Sequence, residues 1–153
     1  MNDLQIRFLL LTHLASTSYM TGLIWFVQCV HYPLFASVGE EGFRNYEERH
    51  RVLTTWVVAP AMFLEGATAV LLIWFRPAGL PTWLILTGLA LVVVNWLSTA
   101  LIQVPEHKRL AGGYNRTVHE RLVLTNWIRT AGWSLRTMLV LWMSWTVMSE
   151  ANP

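Results

Sequence analysis

Four of the five histidines, His31, His50, His107 and His119, stand at the ends of long apolar runs or in the polar segments beside them. Glu47 and His50 form an E-x-x-H pair. On a helix that i,i+3 spacing turns carboxylate and imidazole to one face, and helix-bundle metal proteins use it to offer two ligands to one ion. Imidazole combined with carboxylate suits zinc, iron, copper or manganese. His50 and His107 are therefore expected to enter one coordination sphere, with Glu47 or His31 completing it. The competing reading is a set of solvated histidines at the level of lipid headgroups.

A second group is ionisable and lies inside apolar runs, where a charge is expensive and marks either a functional site or a paired structural one. Its members are Glu65, Arg129 and Arg136, with Asn126 and Gln103 as polar neighbours. At 1.5 Å per helical residue, Glu65 lies about 21 Å beyond Arg51 and Arg136 about 22 Å beyond Arg121. Those two are expected to meet in one layer. Arg129 lies about 12 Å beyond Arg121, and Asn126, Arg129, Trp133 and Arg136 fall on one helical stripe. Two arginines against one carboxylate leave Arg129 without a charged partner. Its planar fork suits a carboxylate, a phosphate or a quinone-like acceptor. Glu65, Arg129, Arg136 and Asn126 are the candidate catalytic residues. His13, near the opposite end of the first run, could serve as an axial haem ligand or as a hydrogen-bonding packing residue.

Four apolar spans are expected to position these groups, at about 8–30, 52–75, 81–104 and 122–147. Residues 8–39 and 77–105 contain no Asp, Glu, Lys or Arg, and 52–75 contains only Glu65. About 20 apolar residues cross a bilayer as a helix. His31-Tyr32-Pro33 ends the first span, the Pro/Gly-rich 76–81 turn joins the second to the third antiparallel, and Pro105 is expected to end the third. Residues 40–51 read as a short polar helix leading into the second span, and 106–121 as a surface segment broken at Gly112-Gly113.

Charge then orients the spans. Arg7 and Arg76 fall on the side of the termini, whereas Arg44, Arg49, Arg51, Lys108, Arg109, Arg116 and Arg121 fall on the side of the longer loops. The positive-inside rule puts those loops in the cytoplasm and both termini outside, as in a multi-pass protein of the bacterial inner membrane. Of the 153 residues 54% are hydrophobic and only 13% charged, against roughly 25% charged in soluble domains. The net charge of +2 argues against nucleic acid as a partner. The single cysteine, Cys29, excludes an internal disulfide. An initial apolar run of this length reads as a first span rather than a signal peptide. No phosphate loop, zincin motif or nucleophile constellation is visible, which disfavours kinase, protease and hydrolase activity.

The order of His13 in LTHLAS, Trp25-Phe26, Tyr32-Pro33-Leu34-Phe35, Glu48-Arg49, Pro60-Ala61-Met62 and Trp83-Leu84 resembles the haem-containing membrane protoporphyrinogen oxidases and the related copper-resistance membrane domains. That resemblance implies a haem ligand at His13 and a lysine early in the third span, where 82–90 reads TWLILTGLA and has none. The four-span layout also resembles the anthrone-oxygenase-like membrane proteins, and Asn126-Trp127-Ile128-Arg129-Thr130 with Trp133 and Arg136 looks like the hallmark of a narrower family.

The combined expectation is an all-α, integral-membrane antiparallel four-helix bundle, one domain over 1–153, with a short cytoplasmic helical cap. Its leading functional reading is a metal- or haem-dependent oxidoreductase acting on a lipid-soluble or anionic small molecule. The alternatives are a metal or small-solute transport protein and a structural or accessory subunit. Beyond the lipid bilayer and such a ligand, the composition is compatible with self-association.

Overall fold

A computed structural model describes residues 1–149; residues 150–153 of the single-domain reading lie outside the described residues. The described chain is all-helical. Four long helices carry it: α1 (Asp3–Phe26), α2 (Glu40–Trp74), α3 (Thr82–Leu110) and α4 (Arg116–Ser149). Two of them, α2 and α3, are long and apolar enough to cross a membrane.

Local chemistry explains the boundaries. Asn2 accepts the Gln5 amide through Oδ1 and Gln5 Oε1 accepts the Asn2 amide, a reciprocal box that caps α1. After Phe26 the helix widens into a π turn (Val27–His31), and Pro33 opens a 3-10 turn (Pro33–Ser37). Gly39, at φ +79°, then makes the corner into α2, a conformation that costs a glycine little.

The polar stretch 40–51 and the second span are one continuous helix. A further difference concerns Pro105. It does not end the third helix, because a π turn (Thr99–Gln103) precedes it and the chain resumes as an α-helix over Val104–Leu110. Proline is tolerated in a first helical turn, where its missing N–H is not needed. The break comes instead at Gly112-Gly113, with Gly113 at φ +136°.

Each helix packs on its neighbours in sequence, and α1 closes the ring against α4. The interior is layered. One apolar cluster holds Leu9, Leu10, Leu72, Leu84, Ile85 and Met143; the other holds Met20, Ile24, Tyr32, Phe35, Phe43 and Trp133. Along α1 and α4 the two are separated by His13, Thr17 and Arg136, all buried.

Candidate functional site: two arginine layers and a histidine–carboxylate cluster

Arg136 and Glu65 meet in the buried middle layer, both 0% exposed. Arg136 Nε donates to Glu65 Oε1 at 2.8 Å, and Trp133 Nε1 donates to Glu65 Oε2 at 3.0 Å. The guanidinium also donates to the Gly88 carbonyl and to His13 Nε2, the latter at 3.3 Å. Both carboxylate oxygens are satisfied, and the charges cancel in place.

His13 is locked into the same network. Thr68 gives its hydroxyl proton to the Leu64 carbonyl, so its oxygen accepts from His13 Nδ1 at 2.7 Å. That leaves His13 Nε2 as the acceptor of Arg136. An iron ligand at His13 would have to displace a guanidinium from the only free lone pair. Haem therefore does not fit this residue, and its role here is to hold helices α1, α2 and α4 together.

One layer away, Arg129 is arranged differently. Nε donates to Asn126 Oδ1 at 2.8 Å, a terminal nitrogen donates to the same oxygen and to Tyr32 Oη at 3.1 Å, and the other reaches Thr99 only at 3.4 Å. Asn126 is itself held by Gln28, to whose Oε1 it donates at 2.8 Å. All of these acceptors are neutral. Among the described residues no carboxylate forms an ion pair with Arg129.

Arg129 lines a cavity of about 680 Å³ between α1, α2, α3 and α4, shared with Tyr32, His50, Gln103, His107 and Trp133. Its remaining wall is mostly apolar, from Met20, Ile24, Val27, Val58 and Met62, and it runs out to exposed Val52 and Trp56 on α2. Both π turns border it. Such turns are frequent at functional sites, and here they place Val27, Thr99 and Gln103 in the wall.

Tyr32 joins Arg129 to the histidine cluster. An arginine can only donate, so Tyr32 Oη accepts from it and passes its own proton to His107 Nε2 at 2.9 Å. A neutral His107 then carries its hydrogen on Nδ1 and donates it to Glu47 Oε1 at 2.6 Å; as a metal ligand through Nδ1 the ring would instead carry its hydrogen on Nε2 and donate it to Tyr32 Oη. Glu47 is completely buried, and its second oxygen, Oε2, has no hydrogen-bond partner among the described residues. His50 Nδ1 lies 2.8 Å from His31 Nε2 and 3.1 Å from Thr54 Oγ1.

The four residues with candidate ligand roles are thus brought together. One ligand atom each from Glu47, His50 and His107 lies within 4.8 Å of the others, and His31 touches His50. Tetrahedral ligands about 2.1 Å from one ion lie about 3.4 Å apart, so the set would have to close by up to about 1.4 Å around an ion. His31 and His50 lie outside the apolar spans. Burial, with help from the His107 and His31 imidazoles, pulls His50 down to about 3, and burial also lowers His31. Both shifts favour the neutral ring, the form that binds metal.

His119 is the histidine that stands apart. Its Nε2 donates to the Tyr32 carbonyl at 2.7 Å, which fixes the turn carrying Tyr32. Glu106 ties α3 to α4 by accepting from Arg109 at 2.9 Å and Arg121 at 3.2 Å. The sequence reading missed Tyr32 as the central link and Trp133 as the second partner of Glu65. The sequence signals for Tyr32 were its place between His31 and a proline and its part in the Tyr32-Pro33-Leu34-Phe35 motif.

Comparison with protein-family models, curated proteins and solved structures finds no match for this chain.

Proposed function

We propose that the chain is a four-span integral membrane protein that binds a transition-metal ion at Glu47, His50 and His107. Its activity, in this reading, is metal-dependent oxidation or reduction of a lipid-soluble molecule held in the adjoining cavity. Polar groups on the inside and apolar ones on the outside support the membrane assignment. Glu47, Glu65, Asn95, Arg129 and Arg136 are buried, while Phe8, Trp25, Phe63, Trp74, Trp83, Leu101, Met138 and Trp145 are exposed, from all four helices. The loop-side excess of arginine supports both termini lying outside the cytoplasm.

The observation that carries the metal reading is a two-histidine, one-carboxylate set, with Glu47 and His50 buried and His107 partly so, and a carboxylate oxygen without a hydrogen-bond partner among the described residues. A buried charged group left without a partner is costly, and an ion beside Glu47 Oε2 would satisfy it. Two histidines and one carboxylate with open positions is the donor set of non-haem iron oxygenases. An ion held there would supply Lewis acidity or redox chemistry at the cavity edge. His31, against His50, is placed to orient that ring or to act as a fourth ligand. A second hollow, bordered by His31, Asn45, Tyr46, Arg49 and His50, offers an entry route from the outer face of α2.

Elemental analysis of the detergent-purified protein tests this. About one equivalent of iron, manganese, copper or zinc, lost in His107→Ala and Glu47→Gln, is the expected result. Metal at background in the wild type, with none taken up on addition, would contradict it and favour a structural or accessory role.

A further inference from the structure

We infer that the cavity beside Arg129 binds a single-chain amphiphile with a carboxylate head, its head on Arg129 and its tail along Met20, Ile24, Val58 and Met62. This rests on the membrane part of the proposed function, since the tail must come from lipid, and not on the metal part. Three observations converge on it.

The first is the imbalance between the two buried arginines. Arg136 has a carboxylate at 2.8 Å, whereas Arg129, only 7% exposed, has neutral oxygens. Of its five N–H groups, one terminal pair meets nothing closer than Thr99 at 3.4 Å. That edge is free to take a carboxylate, and hydrogen bonds between two charged partners are the strong ones.

The charge of the cavity wall is the second. It contains Arg51 and Arg129 against Glu48, with His50, His107 and Tyr32 as the other titratable groups. Two cations against one carboxylate leave a single positive excess. One carboxylate balances it. A phosphate monoester, at about −1.5 to −2, would overshoot and bring uncompensated negative charge toward Glu47.

Shape is the third. A volume of about 680 Å³ falls within the 300–1,000 Å³ typical of sites for one small ligand. Arg129, Tyr32, His50 and His107 give the wall a polar head region and Met20, Ile24, Val58 and Met62 an apolar one for a tail, with Glu48, Arg51, Thr54, Thr55, Thr99 and Gln103 as its other polar residues. Trp56, Val52 and Thr55 on the exposed face of α2 border the same space, so the tail can enter sideways from surrounding lipid.

The test is photo-crosslinking of the detergent-purified protein with a diazirine-bearing palmitate, with and without chelator, competed by palmitate, hexadecanol or hexadecyl phosphate. Labelling of peptides containing Met20, Ile24, Val58 or Met62 is expected, equal in chelated and untreated protein. Palmitate should compete about tenfold or more better than hexadecanol, the scale of one charge-assisted hydrogen bond. Arg129→Gln should lose that preference while retaining the wild-type melting profile. Equal competition by hexadecanol in the wild type would overturn the inference even if Arg129→Gln failed to fold, and stronger competition by hexadecyl phosphate would overturn the carboxylate assignment. Labelling lost only on chelation would overturn its independence of the metal. A wild type that binds no metal yet shows head-selective labelling would leave this inference standing and the metal reading refuted.

Discussion

Arg136 and Arg129 lie seven residues apart on one face of α4, and their surroundings differ in nearly every respect. Around Arg136 each strong acceptor is used: Glu65 takes a bond on each oxygen, from Arg136 and from Trp133, and His13 and Gly88 close the rest. Around Arg129 the acceptors are amide and hydroxyl oxygens, the cavity begins, and the chain of bonds through Tyr32 and His107 ends on an unsatisfied carboxylate oxygen. The same residue type in the same helix serves once to close the interior and once to leave it open. Burial alone does not identify a functional charge; the identity of its partners does.

Removing the closed layer should have the largest effect. Glu65→Ala strands a buried guanidinium, and breaking a buried pair from one side costs about 3–5 kcal/mol. Chemical or thermal unfolding in detergent would register that loss, and a variant as stable as the wild type would erase the distinction between the layers.

Gly132→Ala is next in size. A Cβ there would collide with Asn95 Oδ1, so α3 and α4 must separate or the buried amide must turn. Overpacking of this kind costs about 1–3 kcal/mol. A neutral outcome in the same unfolding assay would mean that the two helices pack less closely.

Arg129→Gln should cost less than about 1 kcal/mol, because it exchanges one hydrogen-bonding side chain for another beside an open cavity. A loss approaching that of Glu65→Ala would make Arg129 a structural residue as well. The finest test is Tyr32→Phe, which removes the hydroxyl between Arg129 and His107. It should weaken metal binding by about 10–100-fold, the usual effect of losing a group that orients a ligand, with little change in the melting profile. Unchanged affinity in a metal titration would uncouple the two sites.

Much of this arrangement was legible in the chain. The rise per residue placed Glu65 and Arg136 in one layer from their distances to Arg51 and Arg121, and the pair is there. The E-x-x-H spacing put Glu47 and His50 on one face because that relation is local to one helix. What could not be read depends on tertiary packing or on a shift of helical register. The π turns at Val27–His31 and Thr99–Gln103 have no residue signature, yet they border the cavity and carry the third helix past Pro105. Tyr32 could be read as part of the His31-Tyr32-Pro33 end of the first span but not as a link, since its partners, Arg129 and His107, are 97 and 75 residues away. His13 could be read as a ligand or as a packing residue until Thr68 and Arg136 were found on its two nitrogens.

The most direct test of the metal site is a cobalt(II) titration of the purified protein, followed by visible absorbance, in the wild type and in Glu47→Gln. Glu47→Gln keeps the size of the side chain and removes the charge that an ion would neutralise. Ligand-field bands that saturate at about one equivalent are expected in the wild type and should be absent or far weaker in the variant. No such bands in the wild type, or bands of equal strength in both proteins, would contradict it.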